Sequence, residues 1–341
     1  MRVGIVTDSA ATLPPELASG NEVAIVPMEV TIAGRSNGDR RVPLQEVLQH
    51  LDDGVRTSSP SPGRFSSAIA AAQDGDGVLV LTVARSMSGT FQVASLAARR
   101  ASGPTEVLDT GTAAGGEGLV VLAAARAASA GRPLQEVLEV ARRAAAGVRL
   151  VATLHDLRHL VAGGRLPRVV GWLGGILGVQ PLFEFRGGTI RPLLPALSHR
   201  AARRRMLGRW RRSRPRGPAA LHVAALHALE RDEAERLLEA VRAEASPATS
   251  FIGEFDAVMV AHTGPGLTGL AWWWEPEGPG ELQGPEGSGE SQGPEGSGEP
   301  QGGVPRWIGA RWVGARWIRE ASPCADRRCR RPPGGWSGSR R

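Results

Sequence analysis

Residues 77–90 read GVLVLTVARSMSGT, an unbroken apolar run that ends in a polar, hydroxyl-rich turn. Continuous apolar character over such a run is typical of a strand that is buried on both faces. The turn after it contains Ser86, Ser88 and Thr90, and Gly89 stands where a helix can begin. A strand that leads directly into a helix predicts an α/β fold with a parallel or mostly parallel sheet.

The same alternation of apolar runs and amphipathic stretches extends over residues 1–274. Strands are predicted at residues 2–7, 23–32, 77–83, 106–109, 149–154, 182–185, 189–194, 221–225 and 257–260. Helices are predicted at residues 65–73, 90–100, 118–130, 134–146, 156–162, 200–212 and 232–244. A second set of strands and helices begins after Gly147, so the sequence predicts two α/β domains, 1–148 and 149–274.

The composition changes sharply after Trp274. A Gly/Pro/Glu/Ser-rich nine-residue repeat is followed by Trp307, Trp312 and Trp317, whose spacing matches neither a helix nor a strand. Such a composition cannot bury enough apolar area to fold, so residues 275–341 are predicted to form a disordered tail. The Arg/Trp repeat could adhere to a membrane surface or to nucleic acid, but a low-complexity tail without that role is favoured.

Charge and cysteine content limit the partners and metal sites that are expected for this protein. The chain has 341 residues, a formal net charge of +7 and two cysteines. Residues 200–216 form an arginine cluster, but no recognition motif accompanies it, so nucleic acid is not an expected partner. Cys324 and Cys329 have no second pair and no His nearby, so a metal site is not expected there.

The hydropathy pattern gives an expectation about location. No stretch reaches the roughly eighteen unbroken apolar residues that a membrane-spanning helix needs. The N-terminus reaches Asp8 before any long apolar run and has no small-residue cleavage site, so no secretory signal is predicted. The expected location is the cytoplasm.

Four polar clusters lie at predicted strand ends, which is where open α/β sheets bind their ligands. They are Thr7-Asp8-Ser9, RTSSPSP at residues 56–62, SMSGT at 86–90 and HTGPG at 262–266. Each alone is weak evidence, because Asp, Ser and Thr at such positions most often cap the next turn. Four together favour a ligand site, and hydroxyls beside a helix start suit an anion. The sequence contains neither a Walker loop nor a dinucleotide fingerprint, so no nucleotide cofactor is predicted.

These motifs, in this order and spacing, resemble the DegV family of bacterial fatty-acid-binding proteins. The resemblance covers residues 2 to about 270 and rests on VTDSAATLP, RTSSPSP, SMSGTFQVASLAA, LVAGGRLP, LGVQPLFEFRGG and AHTGPG. It implies two α/β domains with a single long-chain fatty acid buried between them. By the motifs of the family, Thr57 and Ser88 would hold the carboxylate, and Arg165 and His262 would lie close to it.

The resemblance also implies a partner. In fatty acid kinase systems, a separate ATP-dependent kinase subunit phosphorylates the carboxylate while it lies on this carrier, and the acyl phosphate feeds phospholipid synthesis. The protein itself would then be a carrier with no catalytic residue, no cofactor and no metal. Its contact with a membrane surface would be transient at most.

Three positions depart from the family pattern. Ser59 stands where the family has Gln, and Gln180 stands where it usually has Lys. Pro167 removes a backbone donor beside Arg165, so the conformation of that loop is expected to differ. The loss of the Lys also removes one positive charge.

The acyl chain and the end of the second domain raise two further expectations. After Gly269 the chain runs into residues 272–274 and the tail, where the family would finish a last helix, so this end is expected to be incomplete or replaced. Apolar residues of the Gly-dense run are expected to wall a tunnel: Val169, Val170, Trp172, Leu173, Ile176, Leu177 and Val179.

An enzyme is the alternative from a different class. A Ser at a strand-to-helix turn suggests a serine hydrolase acting on acyl esters, with Ser88 as nucleophile and His262 as base. Asp8 or Asp109 would orient the imidazole. The surrounding sequence is S-x-S-G-T and not G-x-S-x-G, which weakens this interpretation.

Overall fold

The computed structural model describes residues 2–52, 54–73, 75–155, 157–164 and 179–276. These residues belong to one compact unit, Met1–Gln283. Residues 275 and 276, which were predicted to begin the disordered tail, instead end a strand, because Glu275 bonds Arg126 and His222. The rest of the predicted tail, with its Trp repeat and both cysteines, lies outside the described residues from position 277 onward. The predicted division into domains at residue 148 remains a prediction.

Strands and helices alternate along most of the chain, as predicted. The strands are β1 (Arg2–Asp8), β2 (Val23–Val26), β3 (Glu29–Ile32), β4 (Arg35–Gly38), β5 (Arg56–Ser58), β6 (Gly75–Thr82), β7 (Thr105–Asp109), β8 (Arg149–Thr153), β9 (Gln180–Arg186), β10 (Thr189–Ala196), β11 (Ala219–His227), β12 (Thr249–Glu254) and β13 (Thr268–Pro276). The α-helices are α1 (Pro15–Gly20), α2 (Leu44–Gln49), α3 (Pro62–Ala72), α4 (Thr90–Ala98), α5 (Ala114–Ser129), α6 (Leu134–Gly147), α7 (Arg158–Ala162), α8 (His199–Arg212), α9 (Arg231–Arg242) and α10 (Ala257–Thr263).

The first sheet is parallel, as the apolar run at residues 77–83 predicts. Its strand order is β2-β1-β6-β7, and each neighbouring pair runs in the same direction. Val78, Leu79, Val80 and Leu81 in β6 are fully buried, because helices cover both faces of the strand. The carboxyl ends of β1 and β6 therefore lie side by side, and their following turns meet at one edge of the sheet.

The second sheet has six strands in the order β10-β9-β8-β13-β11-β12, of which only β11 and β12 are parallel neighbours. Strand β13 lies inside this sheet, between β8 and β11, and Trp272 and Trp273 on it are buried. The expectation of an incomplete second domain after Gly269 is therefore wrong for the described residues. Consecutive aromatic residues favour a strand, and sequence reasoning missed this signal.

Helix α5 packs against strands of both sheets, including β1 and β11. Its first turn is rich in glycine because the neighbours approach closely: a Cβ at Gly118 would lie 2.7 Å from the Ala11 carbonyl oxygen, and one at Gly115 would lie 2.6 Å from Leu226 Cδ2. Larger side chains would separate the helix from both sheets.

A third, small sheet has the order β4-β3-β5 and is antiparallel. Sequence reasoning did not separate these strands, which are only three or four residues long. The sheet matters for function because β5 is the first part of the RTSSPSP motif and places Thr57 opposite Val30 of β3.

The predicted strand at residues 257–260 is wrong, because these residues form the first half of α10. The run AVMV is only four residues long, and a short apolar run cannot be assigned to a strand or a helix by periodicity. Asp256 takes extended backbone angles at the N-cap position, and the helix begins after it. His262 therefore lies in the last turn of a helix and not at a strand end.

Among the described residues, no helix combines the length and the apolar character needed to cross a membrane.

Candidate functional site

A cavity of about 240 Å³ lies between the turn after β6, strand β5 and helix α10. Its polar lining comes from Thr57, Ser58, Ser59, Ser88, His262 and Thr263. Its remaining lining comes from Ala10, Met28, Val83, Met87, Gly89, Ala113, Leu160, Val258 and Met259. The cavity thus has one group of hydrogen-bonding side chains on otherwise apolar walls.

Ser88 is held in the turn between β6 and α4. The backbone amides of Met87 and Ser88 both donate to the carbonyl oxygen of Ala84, at 2.9 and 3.2 Å. The Ser88 hydroxyl is hydrogen-bonded to Thr90 Oγ1 at 2.8 Å and to Ser59 Oγ at 3.2 Å. Gly89 takes the N-cap position of α4, so the predicted helix start at this glycine is confirmed.

Thr57 and His262 meet in the lining of the same cavity. Their Oγ1 and Nε2 atoms are joined by a hydrogen bond of 2.8 Å. Thr57 is fixed by the pairing of β5 with β3, and α10 packs against both of these strands. Three of the four predicted carboxylate residues therefore line a single cavity, although they come from three distant parts of the sequence.

Arg165, the fourth predicted site residue, lies outside the described residues, and so does Pro167. The same holds for the predicted tunnel residues between positions 169 and 177. Val179 is described and is partly buried.

Several cavity residues were missed by sequence reasoning. Met28, Met87 and Met259 supply flexible apolar surface from three separate segments. Met87 lies between two serines of the SMSGT motif, and this position could have identified it as a cavity residue. Ser59, noted only as a departure from the family pattern, takes part through its contact with Ser88.

Buried carboxyl groups lie directly behind the cavity. The carboxylate of Asp8 accepts hydrogen bonds from the amides of Ala10 (3.0 Å) and Val83 (2.9 Å), two residues that line the cavity. Burial raises the pKa of Asp8 to about 7, against the opposing effect of these two amides. The capping role that is usual for Asp at such a position is confirmed, since Asp8 is the N-cap of the 3-10 helix Ser9–Ala11.

Two further carboxyl groups belong to this region. Burial raises the pKa of Asp39 to about 6, although the Ser9 hydroxyl donates to its Oδ2 at 2.6 Å. Burial also raises the pKa of Glu117, the charge of Asp8 adds to the effect, and the Thr7 hydroxyl donates to its Oε1 at 3.2 Å. Burial therefore disfavours the charged forms of these carboxyl groups, which limits negative charge behind the cavity.

The arrangement differs from that of a serine hydrolase. His262 Nε2 is hydrogen-bonded to Thr57, while the Ser88 hydroxyl is bonded to two other hydroxyls. Both candidate orienting carboxylates are engaged elsewhere: Asp8 with backbone amides, and Asp109 with Arg85 at 2.6 Å. The contacts seen here thus give the hydrolase interpretation no support.

Most of the arginine cluster lies on α8, and part of it is paired with acidic side chains. Arg203 contacts Glu233, Arg209 contacts Glu184 at 3.1 Å, and Arg211 contacts Glu244. Exposed Arg side chains remain on the same helix, at Arg200 and Arg204 among others. Across the described part of the chain, no three His, Cys, Asp or Glu side chains are grouped so that they could hold a metal ion.

Comparisons with known proteins agree with the motifs. A family model for the DegV family, described there as uncharacterised, matches residues 2–275. A DegV domain-containing protein of Streptomyces coelicolor is 33% identical over 276 residues, which are 79% of this chain and 97% of the relative. A fatty acid-binding protein of Thermotoga maritima is 27% identical over 280 residues, which are 79% of this chain and 97% of that protein.

A solved structure has the same fold. It belongs to a DegV family protein from Thermus thermophilus that was studied for fatty acid binding. It is 30% identical, has a TM-score of 0.74, and the match covers 80% of this chain and 100% of that one. The resemblance and the α/β fold class predicted from the sequence are confirmed.

Proposed function

The chain belongs to the DegV family, and on that premise we propose that it binds a long-chain fatty acid, whose carboxylate is held by Thr57, Ser88 and His262. The observation that carries the proposal is the convergence of these three side chains on one otherwise apolar cavity. Related proteins from Thermotoga maritima and Thermus thermophilus are reported to bind fatty acids, which supports the proposal.

The polar group suits a carboxylate because it supplies hydrogen-bond donors. A buried carboxylate needs such donors to replace water. When His262 donates from Nε2 to Thr57, the Thr57 hydroxyl keeps its own hydrogen for a ligand, and Ser88 can turn its hydrogen in the same way. By resemblance to the family, Arg165 would supply a positive charge to the same group.

The apolar walls suit the start of an acyl chain. The cavity volume of about 240 Å³ is below the roughly 300–1,000 Å³ of pockets that enclose whole drug-sized ligands. The described cavity is therefore assigned to the carboxyl end, and the apolar residues at positions 169–179 are proposed to enclose the rest of the chain.

The acyl chain would supply most of the affinity. Burial of about 14 methylene groups at about 0.8 kcal/mol each contributes on the order of 11 kcal/mol, before the costs of association and of ordering the chain. The polar end then selects acids over other lipids of similar length.

We further propose that the protein is not itself an enzyme and that it presents the carboxylate to an ATP-dependent kinase subunit. Support comes from the family resemblance and from a sequence that has no Walker loop and no Lys. The kinase would form the acyl phosphate, in the cytoplasm, for phospholipid synthesis. The exposed arginines of α8 are proposed as its docking face.

Native mass spectrometry of the purified chain, followed by extraction and identification of the bound lipid, tests the proposal. The expected result is one long-chain fatty acid for each chain. A delipidated sample should then bind a fluorescent fatty acid, and unlabelled acid should displace it better than the fatty alcohol of equal length. Protein that carries no lipid and binds neither probe would contradict the proposal.

A further inference from the structure

We propose that a polar network behind the cavity positions all three side chains that hold the carboxylate, an inference that rests on the proposed function. The network consists of the buried residues Asp8, Ser9 and Asp39, the exposed Arg40 and the half-buried Asp256. These residues are not proposed to contact the carboxylate. They act through the backbone segments that they fix, so they are positioning residues and not ligands.

Asp8 fixes the turn that carries Ser88. Its Oδ2 accepts the amide of Val83, the first residue after β6, at 2.9 Å. The carbonyl oxygen of the next residue, Ala84, accepts the amides of Met87 and Ser88. Asp8 is fully buried and spans the ends of two neighbouring strands, so it determines where this turn leaves the sheet.

Ser9 and Asp39 fix the strand pair that carries Thr57. The Ser9 hydroxyl accepts the amide of Met28 at 2.9 Å and donates to Asp39 Oδ2. The amide of Asp39 in turn donates to the Met28 carbonyl oxygen at 2.9 Å. Met28 immediately precedes β3, which sets the position of Thr57 through its pairing with β5.

Arg40 extends the network to the helix that carries His262. Its amide donates to Asp39 Oδ1 at 2.7 Å, and its Nε lies 3.4 Å from Asp256 Oδ2. Asp256 is the N-cap residue of α10, and His262 and Thr263 are the last two residues of that helix. The contacts of the network therefore extend to the three segments that carry Ser88, Thr57 and His262.

A purely structural purpose would not need buried ionisable groups here. Burial penalises the charged forms of Asp8 and Asp39, and apolar residues of similar volume often stabilise a core as well or better. Acceptors with fixed geometry do, however, specify the positions of individual amides. The bonds of Asp8 and Ser9 end on Ala10, Met28 and Val83, which all line the cavity.

The test is a double-mutant cycle at pH 8 on the full chain, with affinities for a fatty acid and for the fatty alcohol of equal length. Asp8→Asn keeps the shape of the side chain but places an amide group against a backbone N–H donor. Acid binding should weaken about tenfold, and alcohol binding should be unchanged. In a Ser88→Ala background, Asp8→Asn should weaken acid binding much less, because it acts through Ser88. Asp52→Asn, the same change at an exposed position, should have no effect.

A second double-mutant cycle tests the same proposal if the Asp8→Asn variant does not fold. Ser9→Ala removes the acceptor for Met28, and its effect on acid binding should be coupled to that of Thr57→Ala. The positioning role would be overturned if a substitution weakened acid binding and alcohol binding equally. It would also be overturned if the two substitutions of a cycle had additive effects in proteins that fold. Failure of the wild-type chain to bind any fatty acid would instead overturn the proposed function.

Discussion

Thr57 and His262, 205 positions apart in the chain, are joined by a hydrogen bond of 2.8 Å between Oγ1 and Nε2. One residue lies on a three-residue strand and the other in the last turn of a helix. Each side chain is thus placed by a different element, and the site depends on how these elements pack. Ser88, which lines the same cavity, is placed by a third element, the turn after β6.

Replacing Thr57 or Ser88 with Ala should weaken fatty acid binding about ten- to a hundredfold. Each charge-assisted hydrogen bond to a carboxylate contributes roughly 1.5–3 kcal/mol, and about 1.4 kcal/mol corresponds to a factor of ten. The double variant should lose less than the sum, because both hydroxyls serve the same acceptor. Displacement of a fluorescent fatty acid measures these affinities.

Ser86→Ala is the matched control for this prediction. Ser86 lies two positions from Ser88 in the same turn, but its hydroxyl donates to the Gly188 carbonyl oxygen at 2.7 Å and does not line the cavity. Its removal should leave the affinity unchanged. If Ser88→Ala, folded by circular dichroism, bound the acid as tightly as wild type does, the assigned carboxylate site would be wrong.

Deleting residues 277–341 should leave fatty acid affinity and thermal stability unchanged, because every cavity residue and all thirteen strands of the described region lie upstream. A longer deletion that starts at Thr268 should abolish folding, because it removes β13 from between β8 and β11. Circular dichroism and the displacement assay compare the two truncations. Loss of binding in the shorter deletion would show that the tail takes part in the site.

The purified chain should neither bind nor hydrolyse ATP, and acyl phosphate should form only when a fatty acid kinase is added. Charge reversal at the exposed Arg200 and Arg204 should slow this phosphorylation more than it weakens fatty acid binding. The difference should shrink as salt rises, because exposed charges are screened. ATP turnover by the pure chain would contradict the carrier role. Equal rates of phosphorylation for the wild-type chain and the charge-reversed variant would exclude α8 as the docking face.

The stability of the protein should depend on the ionisation of Asp8. Its pKa rises from 3.8 to about 7 on folding, so its contribution is fully present below about pH 4 and is lost as the pH rises through about 7. Asp8→Asn cannot ionise, so its unfolding free energy should fall less between about pH 4 and pH 8, by roughly 4 kcal/mol. The difference between the two proteins contains the ionisation of Asp8 together with its effect on Glu117, whose pKa the charge of Asp8 raises.

Urea unfolding followed by circular dichroism at pH 4, 5, 6, 7 and 8 measures this difference. Asp52→Asn, at an exposed position, should follow the wild-type profile. Profiles of wild type and Asp8→Asn that stay parallel over the whole range would show that the carboxyl group of Asp8 does not change its pKa on folding.

Local pattern was enough to predict several parts of the molecule. The apolar run at 77–83 predicted a buried parallel strand, and SMSGT predicted the turn and helix that carry Ser88. These features depend on residues that are close in sequence, where hydrophobic periodicity and capping preferences act directly. The order of the motifs was also sufficient to identify the family.

Only the tertiary structure decided the rest. Residues 257–260 became a helix and residues 268–276 a strand inside the second sheet, because packing against distant elements overrides the weak preference of a short apolar run. The contacts of Asp8 with Val83 and of Thr57 with His262 join residues 75 and 205 positions apart. Their spacing leaves no local pattern, since such contacts exist only after the sheets and helices have packed together.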